Sequence, residues 1–171
     1  MLRKAILLLC PVLLILWGCD WALYKAFHGD KTGPAPPQID EAWASDIIRP
    51  GDVWKIYLKA THFDGEMKAF VSTMVQSGKR GSPVFTAVPA QYRKALNGYL
   101  ALNTATISPQ SGDMLLLVKI QDARGNFSDE ASFPLTVHPD SSQFPAPLNF
   151  FKENNLGPIP AGIAPGTSSG K

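Results

Sequence analysis

Cysteine is nearly missing from this 171-residue chain: Cys10 and Cys19 are the only two, both near the N-terminus. Beyond residue 19 no disulfide can brace the fold, and no thiolate cluster can hold a metal. Charge is also sparse. Asp, Glu, Lys and Arg make up 18% of residues, below the quarter or so usual in soluble domains. There is no block of basic residues and no series of stacking aromatics, so nucleic acid is not an expected partner. No Gly-x-Ser-x-Gly elbow occurs. His28, His62 and His138 stand far apart, without the spacing of metal ligands. Asp129 and Glu130 are adjacent and would point to opposite faces of a strand, a poor geometry for two carboxylates flanking one glycosidic bond. These absences argue against an enzyme, and no cofactor is expected.

What is present starts with "MLRKAILLLCPVLLILWGCDW". Arg3 and Lys4 precede an apolar run from Ala5 to Trp17, and small Gly18 comes just before Cys19. Charge, apolar core and small residue are the layout of a secretory signal. The run is shorter than the roughly 20 residues that span a bilayer. "LWGC" at Leu16 to Cys19 resembles the lipobox of bacterial lipoproteins, with Trp17 departing from the pattern. The resemblance implies that the Cys19 thiol accepts a diacylglyceryl group, that fatty acids such as palmitate hold the chain to a membrane, and that cleavage leaves Cys19 first. The alternatives are an uncleaved signal anchor, with Trp17, Trp21 and Tyr24 at the interface, and an ordinary signal peptide. Loss of Arg3 and Lys4 leaves 14 basic and 14 acidic residues, a balance of zero. Residues 1–18 are then a signal peptide. Residues 19–38, with "FHGDKTGPAPPQ", form a Pro/Gly tether.

From residue 39 to 138 the pattern is β. "VWKIYLKA" alternates, with Trp54, Ile56, Leu58 and Ala60 on one face and Lys55, Tyr57 and Lys59 on the other. "MKAFVSTMVQ", "VFTAV", "YLALNTATI", "MLLLVKIQ" and "SFPLTV" are further strand candidates, separated by "RPGD", "HFDGEM", "SGKRGSP" and "SPQSGD". Met114, Leu116, Val118 and Ile120 share a face, as do Phe133, Leu135 and Val137. Pro134 points to an edge position or to a side whose backbone does not need its N–H. "PAQYRKALNG" suggests one or two helical turns, stopped at Gly98. Six or seven short strands spaced by turns predict a single antiparallel β-sandwich.

"KIQDARGNFSD" at 119–129 places turn formers between two strand-like runs. Asp122 suits an Asx-turn, Gly125 and Asn126 tolerate positive φ, and Ser128 satisfies a local donor. This D-x-x-G-N-x-S stretch, with "RPGDVWKIYLKATHFDGEM", is similar to hairpins of bacterial immunoglobulin-like and fibronectin type III-like domains over about residues 37–137. The resemblance implies an all-β, immunoglobulin-like sandwich serving as a spacer or binding module, and it carries over no functional residue.

Residues 139–171 form a Pro/Gly-rich tail. Its apolar residues, Phe144 to Ile159, are expected to lie back on the sandwich over Leu115 and Leu117, with the remainder disordered. The alternative for this stretch is a docking peptide for another protein. Taken together, the sequence predicts a lipid-anchored protein of the bacterial cell envelope. Its partners would be the membrane through Cys19 and an envelope or extracellular protein. The alternative is a calcium- or small-ligand-binding domain, with Asp64, Glu66, Asp122 and Asp129 as candidate oxygen ligands.

Overall fold

The computed structural model describes residues 35–160, apart from 106, 108–113 and 148. The leader, Cys19, the tether up to residue 34, the "SPQSGD" turn and residues 161–171 lie outside the described residues.

The strands are β1 (Gln38–Ala44), β2 (Ile47–Ile48), β3 (Val53–Thr61), β4 (Met67–Gln76), β5 (Lys79–Arg80), β6 (Val84–Ala87), β7 (Ala95–Asn103), β8 (Met114–Asp122), β9 (Ala131–Val137) and β10 (Asn155–Ile159). They build two sheets. One has the order β1-β3-β7-β10. The other runs β2-β9-β8-β4-β5, with β6 also paired to β4. Pairing is antiparallel except at two edges, where β2 runs parallel to β9 and β10 runs parallel to β7.

Period-two alternation fixes which face of each strand turns inward. In β3, Trp54, Ile56, Leu58 and Ala60 have no exposed surface. Leu116, Val118 and Ile120 of β8 and Phe133, Leu135 and Val137 of β9 meet them from the opposite sheet within one core. Each such large apolar side chain contributes about 1.5–3 kcal/mol on burial. Trp54 keeps its polar edge satisfied, because its indole N–H donates to the Ser45 carbonyl at 2.7 Å.

Consecutive β1 and β2 pair with different sheets, and β3, β4, β7, β8 and β9 divide between the sheets as 3-7 against 9-8-4. That is the strand order of an immunoglobulin-like sandwich, with β10 standing beside β7 where a fourth strand of the first sheet is usual.

Turn chemistry sets the rims. Pro50 and Gly51 (φ +87°) turn β2 into β3, and Asp52 N–H donates to the Arg49 carbonyl at 3.2 Å. The polar stretch after β4 is a two-residue hairpin, with Ser77 and Gly78 both at positive φ. The expected helix shrinks to a single 3-10 turn at Ala90–Tyr92. Gly98, expected to stop a helix, is instead a buried position in mid-β7. The expected boundary at 138 falls inside the folded unit, because Asn155–Ile159 is a strand of the first sheet.

Candidate functional site

The most elaborate surface is where the C-terminal segment crosses the first sheet. After β9 the chain leaves the second sheet. Gln143 donates its side-chain N–H to the Val53 carbonyl at 2.9 Å, and Phe144 N–H donates to the Ser45 hydroxyl at 3.1 Å. The segment then reaches β7. There the Asn97 amide behaves like a strand peptide: Nδ2 donates to the Phe150 carbonyl (3.0 Å) and Oδ1 accepts from Lys152 N–H (2.8 Å). Tyr99 N–H donates to the Asn154 carbonyl at 2.8 Å. Gly98 makes that approach possible, since a Cβ there would overlap the Asn154 carbonyl oxygen. From Asn155 the chain pairs along β7, and Leu156 and Ile159 enter the core.

Side chains on the outer face grip the same segment. Phe151 is 5% exposed and packs on Tyr57 with ring centroids 5.6 Å apart. Tyr99 and Trp43 flank Tyr57 at 5.6 and 5.9 Å. Glu153 receives two hydrogen bonds, from Lys55 Nζ at 2.6 Å and from the Tyr57 hydroxyl at 2.5 Å. Lys55 also lies 4.5 Å from the centre of the Tyr99 ring. The charges tune one another. The hydrogen bond from Lys55, then that from Tyr57, holds the Glu153 carboxyl below its ordinary range. The bond to Glu153 raises Lys55. Burial, then the bond to Glu153, pushes the Tyr57 phenol up to about 12. This segment was expected over Leu115 and Leu117 of β8. It lies on the other sheet, because Tyr57 and Tyr99 there offer an apolar surface edged by a cation.

A second polar cluster joins the ends of β3 and β8. His62 Nε2 and Asp122 Oδ2 are 3.4 Å apart, both side chains 1% exposed. Asp122 Oδ1 accepts from the N–H groups of Arg124 (2.9 Å) and Asn126 (2.8 Å), and Oδ2 accepts from Asn126 Nδ2 (2.9 Å). This is the Asx-turn expected of Asp122. Burial pushes its carboxyl up, but the bonds from Asn126 and Arg124 and the nearby His62 outweigh burial and leave it lowered. Ser128 accepts from Ile120 N–H at 2.9 Å. His62 Nδ1 is buried without a hydrogen-bond partner.

The four candidate oxygen ligands have separate roles. Asp64 is exposed and accepts from Ala35 N–H at 3.2 Å. Glu66 is exposed and pairs with Arg93 at 3.6 Å. Asp122 is buried in its turn, and Asp129 lines a surface hollow with Pro36, Pro37 and Ile39. Among the described residues, no group of three or more His, Cys, Asp or Glu could hold a metal ion. Lys55, Tyr57, Asn97 and Glu153 were not singled out from sequence as binding residues. The signal for three of them was there: Lys55 and Tyr57 share the outer face of β3, and Asn97 stands at the matching parity of β7.

No family model matches the sequence, and no curated protein matches it. Among solved structures, it is similar to the PKD domain of an M14-like peptidase from Thermoplasmatales archaeon SCGC AB-540-F20. That match has 12% identity, covers 61% of this chain and 98% of that one, and has a TM-score of 0.38. The class of this chain, an immunoglobulin-like sandwich, rests on its own strand order.

Proposed function

We propose that the chain is a bacterial cell-envelope lipoprotein, held to the membrane by a lipid on Cys19, whose immunoglobulin-like sandwich is a non-catalytic structural and protein-binding module outside the cytoplasm. The anchor rests on Leu16–Cys19 following a basic and apolar leader. One observation carries the binding role: the first sheet holds an extended segment through main-chain pairing along β7 and through side-chain contacts on its outer face. That is the chemistry of β-strand addition, in which backbone bonds supply affinity and side-chain contacts supply selectivity. The His62–Asp122 pair supports a non-catalytic reading. At 1% exposure it cannot touch a substrate proton, as a general base must.

Mass spectrometry of the membrane-extracted chain tests the anchor. A diacylglyceryl cysteine at position 19 is the expected N-terminus, and a chain beginning at Met1 with a free Cys19 thiol overturns it. Photo-crosslinking in cells from Pro158 and Phe85, both exposed, tests the binding role. Capture of an envelope protein is expected, and no capture from either position overturns it.

A further inference from the structure

We propose that the β7 edge is an intermolecular docking site whose ligand is segment 150–159 of a second copy of this chain, so that two copies exchange C-terminal strands. The inference rests on the protein-binding reading and names its partner.

The site is complete in chemical terms. The Asn97 amide reads the backbone of residues 150 and 152, Gly98 admits the Asn154 carbonyl, Tyr57 and Tyr99 receive the Phe151 ring, and Lys55 with Tyr57 holds the Glu153 carboxylate. All these contacts join the segment to side chains or backbone of β3 and β7. None requires the segment to belong to the same chain. The connection also permits exchange. Between Val137 and Asn155 no described residue lies in a strand, and Pro139, Pro145 and Pro147 interrupt the stretch.

β10 is also an edge strand with irregular pairing, held on one side only. It runs parallel to its neighbour, has a register shift between Asn155 and Gly157, and contains Pro158, which donates nothing to a ladder. Its release therefore disrupts less of the sheet than release of β3 or β8 would. Within one chain, the short connection gives the segment an effective concentration on the order of millimolar. Exchange then requires crowded copies, which a membrane surface supplies. Reciprocal exchange closes as a twofold dimer and leaves no site empty.

Charge reversal isolates the exchanged form. Lys55→Glu alone sets two acids together within one chain, and Glu153→Lys alone sets two bases together. In an exchanged heterodimer of these two variants both sites are matched. At one site the acid introduced at position 55 meets the base introduced at position 153. At the other the native Lys55 meets the native Glu153. Full-length variants, each shown to be folded by circular dichroism, are mixed at millimolar concentration, diluted and sized by light scattering. Dimer in the mixture at roughly tenfold or more the level of either variant alone is expected, given the strength of exposed ion pairs. The double variant Lys55→Glu/Glu153→Lys, matched within its own chain, is expected to show no such rise.

A mixture that stays monomeric overturns the exchange. If Cys19 is acylated and an envelope protein is captured from Pro158, the envelope reading survives that failure. Should either variant fail to fold, a labelled peptide of residues 149–160 incubated with the wild-type chain is the second measure. Incorporation that is lost when the peptide's Glu153 is replaced by Lys supports the proposal. No incorporation at millimolar peptide overturns it.

Discussion

Asp122 survives as a buried anion only because its surroundings replace the water it has lost. Three N–H donors and the facing His62 ring do so. Replacing it by alanine strands the Arg124 and Asn126 N–H groups at a turn that also holds β4 to β8. The expected cost is about 3 kcal/mol, read as a lowered urea midpoint with the slope unchanged. The pH dependence follows from the direction of its shift. A carboxyl lowered by folding contributes stability that is present above the unfolded value, about 3.9, and is lost as pH falls through the folded value. Asp122→Asn should therefore flatten the acid side of the stability profile below about pH 4 relative to wild type.

The neighbouring glycine follows from the same packing. Gly65 has no positive φ, yet a Cβ there would come 2.6 Å from His62 Nε2. Gly65→Ala should lower stability by roughly 1–3 kcal/mol through overpacking, read as a lowered urea midpoint. The buried pair was legible in the sequence although it was not read. Trp54, Ile56, Leu58 and Ala60 continue by parity to His62, and Leu116, Val118 and Ile120 continue to Asp122. Two polar residues that end two inward series call for each other.

At the scale of elements, legibility tracked regularity. β3, β8 and β9 alternate cleanly, and their inward faces were evident from spacing. β10 was hidden because its buried residues, Leu156 and Ile159, are three apart rather than two. The register shift between Asn155 and Gly157 and the presence of Gly157 and Pro158 erase the period. β1 has a similar shift between Ile39 and Glu41, and β2 has two residues. The helical reading of 89–98 gave way at Ala95, where β7 begins, and Gly98, read as its stop, instead lets Asn154 approach the strand. Gly98→Ala should accordingly undock the segment.

Tyr57 reports that event. With the segment in place its phenol ionises at about 12. Burial and the bond to Glu153 stabilise the neutral form, so this stability is present below the unfolded value of about 10 and is lost as pH rises through the folded value. Absorbance titration should show the Tyr57 phenol ionising above the ordinary tyrosine range in the wild-type chain and returning toward that range in Gly98→Ala. A titration unchanged by the substitution would show that Gly98 does not control docking.

For the whole molecule, the question is what closes a sandwich that lacks a disulfide. The described residues contain no cysteine, so reductant should leave the melting temperature unchanged. Apolar burial carries the fold instead, and the C-terminal segment supplies a concentrated share. Phe151, Leu156 and Ile159 are 5%, 0% and 3% exposed. At about 1.5–3 kcal/mol each, their loss takes roughly 5–9 kcal/mol from a domain expected to hold about 5–15. Without β10 the same deletion uncovers the outer edge of β7. A chain ending at Asn149 should therefore unfold non-cooperatively or at a melting temperature lower by tens of degrees. Adding a peptide of residues 150–160 should restore a cooperative transition whose midpoint rises with peptide concentration, as binding to the folded state alone demands. A truncated chain that melts like the full one would show that the closure lies elsewhere in the two sheets.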